Sequence, residues 1–217
     1  MGFLKRASGS GLPLTFQQIQ LNSGSLTTYS FASSTFGTAA FDRIIIIAVS
    51  TGTTHSVVSA TIGGVSATKA IASGSTARPL ELWYAAVPTG TTGTISVTMD
   101  SLCNDLAVAS WAGYPASSTP IDAVGNNSAA ASTVSIVDLD KIAGGFVILA
   151  GYHSASAQRV TFTQTGAEAI TEDFDQVANT AAFAGGRLVV TSTISTDDFT
   201  GTWGTSGNVA LVGASWK

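Results

Sequence analysis

Apolar and polar residues alternate with a period of two along much of the chain, which is the pattern of half-buried β-strands. In "TISVTM" (94–99), Ile95, Val97 and Met99 share one face, and Thr94, Ser96 and Thr98 the other. "RVTFT" (159–163) repeats this with Val160 and Phe162. "LELWYAAV" (80–87) sets Leu80, Leu82 and Tyr84 against Glu81, Trp83 and Val87, so the adjacent Trp83 and Tyr84 point to opposite sides. "RIIIIAVS" (43–50) and "GFVILAGY" (145–152) are apolar throughout. Such runs fit central strands buried on both faces, and β-branched isoleucine favours strand over helix. Turn residues separate the runs at Gly63-Gly64, at "PTGTTG" (88–93) and at "TSGN" (205–208). No segment carries a sustained helical period. "DFDQVANTAAFAGG" (173–186) reads as a long loop with one turn.

The pattern also repeats. "LAVASW" (106–111) returns as "LVGASW" (211–216), about 105 residues later. "IIIIAVS" (44–50) matches "FVILAGY" (146–152), and "LTTYSF" (26–31) and "TVSIVDL" (133–139) hold like places. "TISVT" (94–98) precedes the first phrase as "TGTWG" (200–204) precedes the second. A duplication at this spacing predicts pseudo-repeats over about 26–113 and 133–217, each of about seven antiparallel strands closing as a β-sandwich. The turn-rich stretch 114–133 contains an apolar island with Ile121 and Val124, which favours one large sandwich with interlocked halves. Two tandem sandwiches are the alternative. Residues 1–24 precede the first strand that the repeat requires and form an extended N-terminal arm, with residues 25–217 as the sandwich. The arm's apolar side chains Phe3, Leu4, Leu12, Leu14, Phe16, Ile19 and Leu21 need cover, either on the chain's own sandwich or on another subunit. An arm that adds a strand to a neighbour gains main-chain hydrogen bonds, and alternating side chains set its register.

Charge narrows the function classes. Only 10% of the 217 residues are charged, and the net charge is −4. With no basic cluster beyond Lys5-Arg6, a nucleic-acid footprint is not expected. "IIIIAV" (44–49) is far too short to cross a bilayer, so no membrane span is expected. The single cysteine, Cys103, excludes an intramolecular disulfide.

Chemistry-bearing constellations are sparse. His55 and His153 occupy equivalent strand ends, but neither has metal-motif spacing, and solvated loop positions account for both. There is no G-x-S-x-G elbow and no P-loop ending. "AEAITEDFDQ" gathers Glu168, Glu172, Asp173 and Asp175 on a strand and the loop after it. Such a cluster suits a structural Ca²⁺ ion, a glycosidase pair or a solvated edge, and without regular ligand spacing or a defined carboxylate separation the solvated edge fits best. Tyr114 and Tyr152 fall at strand ends, where paired rings would build a sugar-stacking face. Trp111 and Trp216 rhyme and imply paired structural roles. The chain is therefore expected to be no enzyme, with no catalytic residues, metal or cofactor.

"RIIIIAVS", "SATIGG", "LELWYAAVPTGTTGTISVT", "ASWAGYPASSTPIDAV" and "VALVGASWK" together resemble jelly-roll-like β-sandwich proteins of bacteriophage particles. The resemblance covers nearly all of the chain after about residue 25. It implies an all-β, antiparallel jelly-roll-like sandwich in a head-decoration, tail or fibre component. It also implies a protein made in the host cytoplasm and displayed on the virion, with other virion subunits and copies of itself as partners. A carbohydrate- or host-receptor-binding module, with a host surface glycan as ligand, is the alternative.

Overall fold

The computed structural model describes residues 14–51, 54–75, 79–155, 159–178 and 181–217. Every regular element among them is a β-strand. The first half holds β1 (Leu14–Asn22), β2 (Leu26–Thr35), β3 (Ile44–Thr51), β4 (Val57–Ile62), β5 (Val65–Ser66), β6 (Thr68–Ala72), β7 (Leu80–Ala86), β8 (Thr92–Cys103) and β9 (Leu106–Gly113). The second holds β10 (Asp122–Lys141), β11 (Phe146–His153), β12 (Val160–Gln164), β13 (Thr171–Ala178), β14 (Ala181–Val189) and β15 (Ile194–Trp216).

The two halves share one plan. In the first, an inner sheet runs β1-β9-β3-β7-β6 and an outer sheet β2-β8-β4-β5. In the second, β10 and β15 are long enough to serve both layers. Residues 122–128 of β10 pair with 209–215 of β15, and the sheet continues through β11, β14 and β13. Residues 133–141 of β10 pair with 194–202 of β15, and β12 takes the other side of β15. Strand orders therefore correspond, all antiparallel, except that β5 has no counterpart among the described strands of the second half. Ser33 and Asp138, 105 positions apart, even share a left-handed φ of 56° and 59° at matching bulges.

Interlocking does not occur. No described strand of one half pairs with a strand of the other. The halves are stacked sandwiches whose inner sheets pack face to face, which makes four layers. This explains the unbroken apolar runs. On β3, Ile45, Ile47 and Val49 fill the first sandwich's own core, whereas Ile44, Ile46 and Ala48 face the seam between the halves. On β11, Val147 and Leu149 point inward, and Phe146, Ile148, Ala150 and Tyr152 meet the seam. A lone sandwich would show a polar outer face on these strands.

The seam relates the halves as a symmetric dimer relates two subunits. β1 packs near β13, and its equivalent, the first part of β10, packs near β6, the equivalent of β13. That reciprocity is an isologous interface. Trp111 and Trp216, both fully buried, are its paired anchors. Trp111 lies against Phe16 and Phe174, and Trp216 against Phe146 and Tyr84.

Four expectations are corrected. Within 173–186, Asp173–Ala178 and Ala181–Gly186 are not loop but the facing parts of β13 and β14. Its small residues hide the strand, and at Gly185 a Cβ would lie 2.4 Å from the Phe174 ring, so only glycine lets the strand sit there. "TSGN" (205–208) is no turn, and the turn-rich stretch ahead of 133 is no connector beyond Pro120. Both lie inside the long strands as they cross between layers. The arm does not extend to residue 24, because Leu14–Asn22 forms an edge strand paired with β9.

Candidate functional site

The residues singled out from the sequence do not converge. Leu14 is fully buried, and Phe16 and Ile19 pack against the seam core, so these three belong to the chain's own fold rather than to a partner. Leu21 alone of that strand is half exposed. Phe3, Leu4 and Leu12 lie outside the described residues. Tyr152 is 2% exposed inside the seam and presents no ring to a sugar. Tyr114 packs partly against the first core, and its hydroxyl donates to the Thr38 carbonyl at 2.8 Å. The two rings therefore form no common stacking face, which corrects the glycan-site expectation.

His153 is not a solvated loop residue either. It is fully buried at the end of β11. Its Nδ1 accepts from the Ala155 N–H (2.9 Å), which leaves the proton on Nε2 to donate to the Thr205 carbonyl (3.1 Å). Gly207 gives it room, since a Cβ there would lie 2.6 Å from the imidazole. His55 instead pairs with Asp100 at 3.1 Å on a partly exposed loop. Among the described residues, no group of three or more His, Cys, Asp or Glu is arranged to hold a metal ion.

The acidic segment splits in two. Glu172, Asp173 and Asp175 stay on β13, where burial pushes all three carboxyls above their ordinary values. Asp173 reaches across the seam: it accepts from the Trp111 indole at 2.7 Å and pairs with Arg187. Glu168 turns away into the second sandwich and meets Lys141 at 2.7 Å. Lys141 is fully buried and also pairs with Asp197, which is equally buried. The Gln164 side-chain Oε1 accepts from Lys141 at 3.0 Å, and the Phe199 ring lies 5.7 Å from the lysine Nζ. Asp197 Oδ1 accepts from Thr165 Oγ1 (2.6 Å) and from the Gly166 N–H (3.0 Å). Burial would raise the Glu168 carboxyl, but hydrogen bonds from Lys141 and Ser192 outweigh it and hold it at about 2.

Sequence reasoning named Glu168 but missed Lys141 and Asp197. The signal lay in the duplication. Register places Lys141 opposite the position of Phe36, and Asp197 opposite Gly93, because Phe31 pairs with Ile95 and Ser34 with Gly93 just as Ile136 pairs with Phe199 and Leu139 with Asp197. In the first half the Phe36 ring fills this corner, so close to Gly93 that a Cβ there would lie 2.4 Å from it. An aromatic-on-glycine contact in one half is replaced by a lysine with two carboxylates in the other.

The seam itself is asymmetric at one end. Gly125 of β10 stands where Leu21 stands on β1, since their partners Val212 and Ala107 correspond. At Gly125 the halves touch so closely that a Cβ would lie 2.5 Å from the Ala72 carbonyl oxygen. At Leu21 they part, leaving a cleft of about 250 Å³ with Ser50, Thr51, Leu106 and Ala181 along it and Leu21 and Val177 at its lip. The cleft joins apolar side chains to hydroxyls and the single carboxylate of Asp105. Comparison of the chain with protein-family models, with curated proteins and with solved structures finds no match in any of the three.

Proposed function

We propose that the chain is a non-enzymatic structural protein of a bacteriophage particle, displayed on the exterior of the head or tail and seated against other particle subunits. The observation that carries this reading is the placing of large apolar side chains on the outside of the four-layer stack. Phe41 is 89% exposed in the turn between β2 and β3, Val58 61% on β4, Leu102 58% on β8 and Val137 53% on β10. Inner sheets have already satisfied each other, so these outer positions are the apolar surface left for neighbours. The strand patterns that resemble phage sandwiches and the low charge point the same way. Because β1 belongs to the fold, anchoring passes to these outer positions and to the residues before Leu14.

The test is incorporation. The chain is expected among the proteins of purified particles made by a host that carries its gene. A Phe41→Ser/Val137→Ser chain with an unchanged circular dichroism spectrum is expected to be depleted from them. A chain that is absent from particles but retained on immobilised host polysaccharide would replace this reading with the glycan-binding one.

A further inference from the structure

The Lys141–Asp197–Glu168 corner has the parts of a self-modifying site. We propose that Lys141 and Asp197 condense into an intramolecular amide that joins β10 to β15, with Glu168 carrying the proton.

Geometry and surroundings support each requirement. The nucleophile is present: Lys141 Nζ is in contact with Asp197 Oδ2, and both side chains are shut off from water. Burial disfavours separated charges, so transfer of one ammonium proton to Oδ2 yields a neutral amine beside a neutral carboxylic acid. The acceptor is polarised: Oδ1 already holds two donors, Thr165 Oγ1 and the Gly166 N–H, placed to stabilise an oxyanion. By contrast, Oδ2 faces the lysine Nζ, which suits an oxygen that takes up a proton and leaves. Glu168 Oε2 sits 2.7 Å from Nζ, within reach of the proton that must move. Its other oxygen is fixed by Ser192 Oγ at 2.8 Å and by the Ser192 N–H at 3.1 Å. Space is reserved as well: a Cβ at Gly166 would stand 3.1 Å from both Asp197 Oδ2 and Lys141 Nζ and 3.2 Å from Glu168 Oε2.

The step balances without any added reagent. After the first proton transfer, the Nζ lone pair attacks Asp197 Cγ and the C=O electrons move to Oδ1. Glu168 removes one proton from the resulting N–H₂⁺ and delivers it to the Oδ2 hydroxyl. The oxyanion collapses, the Cγ–Oδ2 bond breaks and one water leaves. Lysine keeps one N–H in the amide, and Glu168 returns to its carboxylate. Nothing is oxidised or reduced.

Intact-mass measurement of the denatured full-length protein tests this directly. The expected mass is that of the sequence less one water. Trypsin should fail to cut after Lys141, and a branched peptide should unite the segments that carry Lys141 and Asp197. A full-mass chain whose Lys141 amine is acetylated after denaturation overturns the proposal, whatever any variant does. Asp197→Ala should restore the full mass, and a persistent water loss there overturns the assignment to this pair. A Glu168→Gln chain that is folded by circular dichroism should keep its full mass. If it loses water as the parent does, Glu168 is not the proton carrier. Thr165→Val, which withdraws one donor from Oδ1, should raise the fraction of full-mass chain sampled soon after synthesis, and an unchanged fraction removes the oxyanion role.

Discussion

The same corner of the two sandwiches is built from opposite chemistry. In the first half, Phe36 presses on Gly93 and the corner is closed by shape. In the second, Lys141 stands in the aromatic's place and Asp197 in the glycine's, and the corner is closed by charge. The backbone is nearly indifferent: strand order, bulge position and the left-handed residue are common to both. What differs is how each tolerates change. A packed ring can be trimmed at the cost of a cavity, whereas a buried ion group fails when one member is removed, because the remaining charges have neither partner nor water.

The largest expected effect breaks that comparison from the charged side. Lys141→Phe removes the proposed bond to Asp197 and leaves Asp197 and Glu168 buried without a cation, and should cost at least about 3–5 kcal/mol. Adding Asp197→Gly recreates the first half's solution and should recover a large part of the loss. Chemical denaturation of the single and double variants measures the coupling. Strictly additive costs would show that the two corners are not interchangeable.

A second contrast concerns the two ends of the seam. Gly125→Ala drives a methyl group against the Ala72 carbonyl and should destabilise by about 1–3 kcal/mol. Leu21→Ala, at the equivalent open position, should stay within about 0.5 kcal/mol. Equal losses in thermal denaturation would mean that the cleft closes in solution.

Acid should separate the carboxylates of the second half. While the Lys141 ammonium is present, Glu168 is depressed to about 2. The stability it contributes is complete above the unfolded carboxylate value and is lost as pH falls through about 2. Glu172, Asp173 and Asp175 are raised instead, by burial first. Their folded state binds protons more tightly than the unfolded chain, so their contribution is greatest in acid and falls as pH rises through the raised values. Melting temperatures from about pH 3 to neutrality should therefore decline less steeply with rising pH in Glu172→Gln/Asp175→Asn than in the parent. Parallel curves would sink this account.

Much of the architecture was legible before any coordinates. Period two in "TISVTM", the Gly63-Gly64 turn and the rhyme of Trp111 with Trp216 all rest on local rules, because strand faces and turns are set by residues near in sequence. The unbroken apolar character of β3 and β11 told that both faces lack water, but not that the second face is covered by the other half's inner sheet. Legibility failed where small residues carried the strands. Ala181–Gly186 and the start of β10 read as loops because close packing of another element, not β-propensity, holds them extended.

The functional corner was out of reach for a related reason. Lys141, Glu168 and Asp197 are far apart along the chain and belong to different strands and a loop, and no spacing rule joins them. Strand period and duplication, being local or repeated, were determined by the sequence alone. Register, layer crossing and the stacking of the two inner sheets decided the rest: which half carries the buried charges, which end of the seam stays open, and that β1 serves its own fold. Those choices depend on contacts between distant residues, whose energies are settled only when every layer is in place.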